Sequence, residues 1–361
     1  MITPEERTLE VSPAEFPPVD SVVPSATPKG ALEPAYYGVP FLKRPRWKWE
    51  IAFYFFLEGI SSGTYVLATM ADLFANGRYP QLVRTSRYVS LATLLPCPPL
   101  LIADLGRPER FHHMLRILKP TSPMNTGAWA LTAFGQFTAL AAAQEFAARE
   151  FVTGGDSLPW FLRALRYFPS RTTSLLGLPF ALTMLAYPGV LLSATSTPVW
   201  ARTPFLGALF GCSSMSAAIS TMALISSLKG ETQRLALQRM ETVVAISEAT
   251  AVAAYLATAK RAARPLTKGK QARKFWAGAI ALGIIAPTAL CALGSRRSES
   301  RRPAGGRRSF GVLASALSVA GALMLKWAIV HAGQESASDQ EAAHFHTRPN
   351  ASAPGWVPGG V

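Results

Sequence analysis

Tyr54, Glu58, Ser61, Tyr65 and Asp72 follow one another at steps of three, four or seven residues. Those steps stack side chains on one face of a helix. The stretch that holds them, Trp49 to Phe74, is otherwise apolar and long enough to cross a bilayer. Carboxylates within hydrocarbon are costly. They turn inward and mark routes for protons, ions or polar headgroups. Glu58 lies nine residues past Trp49, about 14 Å along the axis at 1.5 Å per residue and near mid-bilayer. A second apolar stretch repeats the pattern, with Glu241, Glu248 and Tyr255 spaced by seven and seven. Glu58, Tyr65, Asp72, Glu241, Glu248 and Tyr255 are therefore candidates for a proton relay. Other readings fit the same residues. Glu58 and Glu248 would serve as protonated carboxyls in interhelical hydrogen bonds, and Asp72 and Glu241 would sit at the interface. Lys326, also within an apolar stretch, pairs with one of these acids or snorkels toward water.

The elements that must position these groups are membrane helices. Apolar runs lie at 49–74, 86–103, 126–148, 173–196, 203–228, 236–259, 275–294 and 309–331, each about bilayer length. The expected fold is all-α, an integral membrane bundle of about eight transmembrane helices over residues 45–332. Residues 1–44 are rich in Pro, Ser and acidic groups and read as a disordered arm, not a signal peptide. Residues 333–361 read as a polar tail. Mean hydropathy is +0.20, and the net charge of +15 resides largely in loops such as Lys260–Lys274 and Arg296–Arg308. Basic loops between apolar helices meet lipid headgroups, so the charge does not indicate nucleic acid. Lys and Arg are shared by both ends of the bundle, so charge does not orient it. The end that holds Trp49 is called face A here and the opposite end face B.

Cys97, Cys212 and Cys291 are far apart in apolar runs and without CxxC spacing, which argues against an iron–sulfur or zinc site in this chain. All three are expected to be buried small hydrophobes. Of the five histidines, His331 alone lies at the end of a span and has no obvious axial partner for haem. Gly59/Gly63 and Gly207/Gly211 are GxxxG pairs suited to close helix packing. Trp47, Trp49, Trp129, Trp160, Trp200, Trp276 and Trp327 lie near span ends, as an aromatic belt would.

The second span contains Leu95-Pro96-Cys97-Pro98-Pro99, and the fourth contains Pro179 and Tyr187-Pro188-Gly189. Proline removes backbone donors and bends or breaks a helix. The result is either a packing kink or a set of freed carbonyls lining a cavity. The second span is followed by Asp104-Leu105-Gly106-Arg107-Pro108-Glu109-Arg110-Phe111-His112-His113 on face A. Gly106 and Pro108 are expected to force a turn there. Asp104, Arg107, His112 and His113 would then crowd near Arg46, Trp47 and Trp49. An Asp–Arg pair fixes geometry, and His titrates near neutral pH. Such a group suits hydrogen bonding to a quinone carbonyl with transfer of its proton. The loop also reads as an interfacial segment whose charges meet headgroups.

Arg46-Trp47-Lys48-Trp49-Glu50-Ile51-Ala52-Phe53-Tyr54-Phe55-Phe56-Leu57-Glu58-Gly59 resembles the first helix of the NrfD/polysulfide-reductase membrane-subunit family. Asp104-Leu105-Gly106-Arg107-Pro108-Glu109-Arg110-Phe111, followed by Thr121-Ser122-Pro123-Met124-Asn125-Thr126-Gly127-Ala128-Trp129, is similar to that family's most recognisable stretch. The resemblance implies a quinol-handling anchor, the quinone-reactive subunit of a multi-subunit oxidoreductase and not an enzyme on its own. It implies menaquinone or ubiquinone bound as substrate, with no haem or iron–sulfur cluster in this chain. The implied partner carries ferredoxin-like [4Fe–4S] clusters, with a molybdopterin oxidoreductase or multihaem cytochrome beyond it. The implied site lies on face A between span one and the Asp-Leu-Gly-Arg-Pro loop, with Arg46, Trp47, Asp104, Arg107, His112 and His113 as its residues. Some relatives carry a His just before the first Trp, where this chain has Arg46. Arg donates but does not cycle a proton at neutral pH, which leaves Asp104 or His112 as acceptor.

The expected function is electron exchange between quinone and the cluster subunit in the bacterial inner membrane, with proton translocation as an added possibility. The competing readings are a proton-coupled secondary transporter using the carboxylate seam and a purely structural anchor. No internal repeat of the kind common in transporters is visible.

Overall fold

A computed structural model describes residues 45–75, 77–152, 159–160, 164–229, 234–296 and 305–337. The arm expected over 1–44 and the tail beyond 337 lie outside these residues. Every regular element among the described residues is helical. Each of the eight apolar runs lies largely in helix.

The first helix, α1, runs from Trp49 to Phe74, about 39 Å at 1.5 Å per residue. It is the centre of the bundle and packs on the helices that follow and on the last one. Its polar face and its apolar faces are both buried, so the seam of acids and hydroxyls points at protein and not at lipid. Helix α2, Pro80–Leu94, and helix α3, Cys97–Asp104, together form the second span. The break falls at Leu95-Pro96, where proline cannot supply the next backbone donor. After Asp104 the chain turns by 117° into a 3-10 turn at Pro108–Arg110 and a short helix α4, His113–Arg116. Leu105 makes the exit in an extended conformation, φ −66° and ψ 124°. Gly77 is the glycine with positive φ among the described residues, so Gly106 turns without using glycine's extra freedom. Here the expectation needs correction: Pro108 and the extended Leu105 suffice.

Helix α5, Pro123–Val152, is followed by α6, Ser170–Ser193, which continues through Pro179 and Pro188. Helices α7, Leu206–Lys229, and α8, Arg234–Ala259, come next. A π-helical segment, Lys274–Ile285, leads into α9, Ala286–Arg296. The last helix, α10, runs from Gly305 to Ser336, past the point where the tail was expected to begin. Among the described residues, six helices are long and apolar enough to cross a membrane, and the bent pair around Asp104 makes a seventh. Helix α5, with 30 residues, is long enough, but Gln136, Gln144 and Glu145 lower its hydropathy. These features make the chain an all-α, multi-pass membrane bundle.

Gly59 and Gly63 let α1 and α7 touch. A Cβ on Gly59 would lie 2.4 Å from Ser214 Oγ, and one on Gly63 would lie 2.5 Å from Ala218 Cβ. Small residues supply this contact where no hydrophobic force acts between helices. Trp49, Trp129, Trp160 and Trp276 are exposed, as a belt requires. Trp200 is not: it is fully buried and donates Nε1–H to the Ile329 carbonyl at 2.9 Å. Its single-turn helix, Pro198–Ala201, folds under the bundle's end and takes the ring out of the belt. Cys97 is buried as expected, while Cys212 and Cys291 are half-buried.

Candidate functional site

Trp47 stands at the face A mouth of α1, its ring stacked on Trp200 at 5.3 Å. The Trp47 carbonyl accepts a hydrogen bond from Gln334 Nε2 near the end of α10. Asp104, the last residue of α3, lies half-buried against the backbone N–H of Lys48, with the Lys48 ammonium and the Glu50 carboxylate as charged neighbours. Lys48 caps α1, and the first N–H groups of a helix have no partner within it. A carboxylate there gives one of these groups an acceptor. The half-buried side chains of Leu100 and Leu101 on α3 and of Tyr187 on α6 pack on the same core as Trp47.

The structure brings Asp104 to Lys48 and Glu50 at the start of α1, next in sequence to Trp47. It does not bring the other loop residues into that group. Arg46, Arg107, His112 and His113 are all exposed. The two histidine rings lie against each other at 4.3 Å, and Phe111 meets His112 edge-on at 6.0 Å. The chain turns by 117° between Asp104 and these residues.

The second half of the motif braces this loop. Asn125 donates Nδ2–H to the Met114 carbonyl at 2.6 Å and accepts from the Lys119 N–H at 2.6 Å. Gly127 makes room for Tyr187, whose ring would lie 2.0 Å from a Cβ at that position. The Tyr187 hydroxyl in turn donates to the Pro123 carbonyl at 2.6 Å. The sequence marks these residues as a motif without giving their role, because each acts across a loop or between helices.

In mid-bundle the structure assembles a charged cluster. Glu58 and Lys326 are both 0% exposed, and Glu248 is 4% exposed. Lys326 Nζ donates to Ser213 Oγ at 3.4 Å and lies 5.8 Å from the centre of the Phe210 ring. Glu58 and Glu248 are both within its electrostatic reach, and Glu248 lies against the hydroxyls of Ser213 and Ser216. The Glu58 carboxylate oxygens and the Ser214 hydroxyl are buried without a hydrogen-bond partner. Lys326 therefore neither pairs with one acid nor snorkels, the two options open from sequence. Both acids act on it electrostatically, Glu248 more than Glu58.

Toward face B the acids diverge. Asp72 binds Arg87, which is 3% exposed: Nη2 donates to Asp72 Oδ2 at 3.1 Å and to Ser174 Oγ at 2.9 Å, and Nη1 donates to Glu145 Oε1 at 2.7 Å. Arg84 adds a looser contact to Glu145 at 3.5 Å. Glu241 instead accepts from the Ser315 hydroxyl at 2.7 Å. Tyr65 and Tyr255 each donate to a backbone carbonyl, of Thr173 and of Val199, both at 3.0 Å. Arg87 and Glu145 were not among the expected site residues. Arg87 falls one residue inside the run 86–103, and an arginine inside a span was the signal.

Among the described residues, no group of three or more His, Cys, Asp or Glu is arranged to hold a metal ion. His331 accepts or donates locally, with Nδ1 at 2.9 Å from the Trp327 carbonyl.

A helical membrane bundle with a polar mouth at one face and a charged centre defines a class of membrane subunit rather than a single protein. Comparison with known sequences narrows it. The profile described as "Polysulphide reductase, NrfD" matches residues 39–337, and the chain belongs to this family. It is 29% identical over 307 residues to a chain of the polysulfide reductase of Wolinella succinogenes, covering 80% of this sequence and 94% of that one. It is 28% identical over 310 residues to protein NrfD of Escherichia coli, covering 80% and 95%. A shorter match, 30% identical over 76 residues, joins it to a subunit of the selenate reductase of Mesobacillus selenatarsenatis, covering 21% and 18%.

Proposed function

We propose that the chain is the membrane subunit of a bacterial reductase complex, and that it exchanges electrons between membrane quinone and a partner subunit bearing [4Fe–4S] clusters. The observation that carries this reading is the place of Asp104, half-buried at the amide of Lys48 where the central helix begins. A quinone needs an apolar wall for its ring and tail and a polar group for its oxygens. Leu100, Leu101 and the Trp47 ring supply the first. Asp104 supplies the second and takes up the proton that must leave with each electron removed from a quinol. Lys48 and Arg46 are donors to a carbonyl oxygen.

Two relatives are named as parts of larger reductases, one of polysulfide reductase and one of selenate reductase, which supports a place beside catalytic subunits. A molybdopterin or multihaem subunit completes the proposed complex. The exposed Arg107, Arg110, Arg116 and Lys119 on face A provide a basic docking surface for the cluster subunit. The acids of the bundle centre support coupled proton translocation.

The test is electron flow in membranes with and without this chain. Quinol-dependent turnover is expected to vanish without it, while turnover with a soluble artificial donor persists. Equal quinol-dependent turnover in both membranes overturns the reading. Solute uptake driven by a pH gradient in vesicles of the chain alone would replace it with a transporter.

A further inference from the structure

Three helices turn polar faces toward one another below the bundle centre. On α7 these are Ser213, Ser216 and Ser220, on α10 Lys326, Ser318 and Ser315, and on α8 Glu248 and Glu241. The spacings of three, four, seven or eight keep each set on one helix face. The contacts form a sequence from the centre to face B. Lys326 reaches Ser213, and Glu248 lies against Ser213 and Ser216. Ser216 and Ser318 share a hydrogen bond of 3.3 Å. Next comes a cavity of about 20 Å³ lined by Ser220, Ser318, Glu241 and Thr288 among others. That volume admits one water, which needs about 10–15 Å³ and two to four polar partners. Beyond it Glu241 accepts from Ser315 at 2.7 Å.

The other polar path from the centre is closed. Ser61 donates to the Ser90 carbonyl at 2.7 Å and Ser90 donates to the Ser61 carbonyl at 2.8 Å. The two hydroxyls also lie 3.2 Å apart, so it is the far end of this path that stops it. Arg87 lies beyond, and a guanidinium stays protonated and passes no proton on.

We propose that Lys326 is the hub of a proton route that runs from Glu58 and Glu248 through Ser216 and Ser318 to Glu241, and that the Arg87 cluster is outside it. The proposal rests on the function given above and names the side chains that couple protons to it. In each passage a proton leaves the Glu58 carboxyl for the Lys326 amine, and the ammonium then gives it to the Glu248 carboxylate. The proton next leaves the Glu248 carboxyl through the hydroxyl pair and a water to Glu241. The centre returns to its starting charge when Glu58 takes up the next proton released by quinol oxidation. The four-carbon stem of lysine lets one amine serve both acids. The groups that face Lys326 are Glu58 from α1, Glu248 from α8, and Ser213 and Phe210 from α7.

The test uses the whole complex in sealed vesicles, with quinone turnover and proton movement read together. Ser318→Val fills the cavity edge without adding charge, and Glu241→Gln removes the terminal acceptor. Protons moved per electron are expected to fall by about tenfold or more in both, toward the roughly 100-fold scale of a lost positioned proton carrier. Asp72→Asn is expected to leave that ratio unchanged. An unchanged ratio in Ser318→Val and Glu241→Gln, whatever their turnover, overturns the route and leaves the quinone reading standing. A fall in Asp72→Asn alone also overturns it. An unaltered complex without quinone-dependent electron flow removes the function itself, a result distinct from either.

Discussion

Arg87 and Glu145 are 58 positions apart in the chain and meet at 2.7 Å between α2 and α5. The same guanidinium holds Asp72 on α1 and Ser174 on α6, so one side chain ties four helices near face B. Removing one partner of a buried ion pair costs about 3–5 kcal/mol, because the other charge is left behind. Arg87→Met is expected to lower the thermal unfolding midpoint of the detergent-solubilised protein clearly. Glu145→Gln, which leaves Asp72 as counter-ion, is expected to cost less. Equal melting of Arg87→Met and the unaltered protein would show that the cluster bears no load.

The contact of α1 with α7 gives a sharper stability test. A Cβ at Gly63 would lie 2.5 Å from Ala218 Cβ, whereas a Cβ at Gly106 would meet nothing within 4 Å. Gly63→Val is expected to abolish the folded, monodisperse protein on size exclusion, since overpacking costs about 1–3 kcal/mol or more. Gly106→Ala is expected to stay within about 0.5 kcal/mol of the original, like an ordinary surface change. A folded Gly63→Val with an unaltered melting curve would refute the close approach.

Much of this was legible in the sequence. Apolar runs of bilayer length mark spans because a membrane leaves the backbone few other choices. The polar face of α1 was read from its steps of three, four and seven, and Asp104 was placed at face A from the order of spans. Pairings between helices were not legible. Arg87, at the edge of the second apolar run, shows no partner in sequence until α1, α5 and α6 are set around it. Lys326 offers no sign in its own helix that two acids flank it. Trp200 resembles a belt residue because its burial depends on Gly333, which leaves room for its ring. His112 and His113 were grouped with Asp104 on proximity in sequence. In the structure a turn of 117° lies between them, and both histidines are exposed while Asp104 is half-buried.

The loop between α4 and α5 depends on Asn125, which bonds the Met114 carbonyl and the Lys119 amide. Each lost bond leaves a backbone group unpaired, at about 1–3 kcal/mol where it is buried. Asn125→Ala is expected to speed protease cleavage between residues 105 and 122 while the bundle stays folded. Unchanged cleavage would mean that the loop is held by other contacts.

The exposed position of His112 and His113 predicts a modest role in quinone chemistry. The double variant His112→Ala/His113→Ala is expected to keep quinol turnover within about twofold, far from the roughly 100-fold loss expected for a removed proton acceptor. A loss as large as that of an Asp104 variant would restore both histidines to the site.

The account depends most on Asp104. The decisive measurement is the rate at which quinol reduces the partner's iron–sulfur clusters in the assembled complex carrying Asp104→Asn, followed by the clusters' own absorbance. The side chain keeps its size and loses its proton-accepting charge. The account predicts a rate lower by about 100-fold, the scale of a lost general base, with assembly and artificial-donor activity intact. A rate equal to that of the unaltered complex contradicts it.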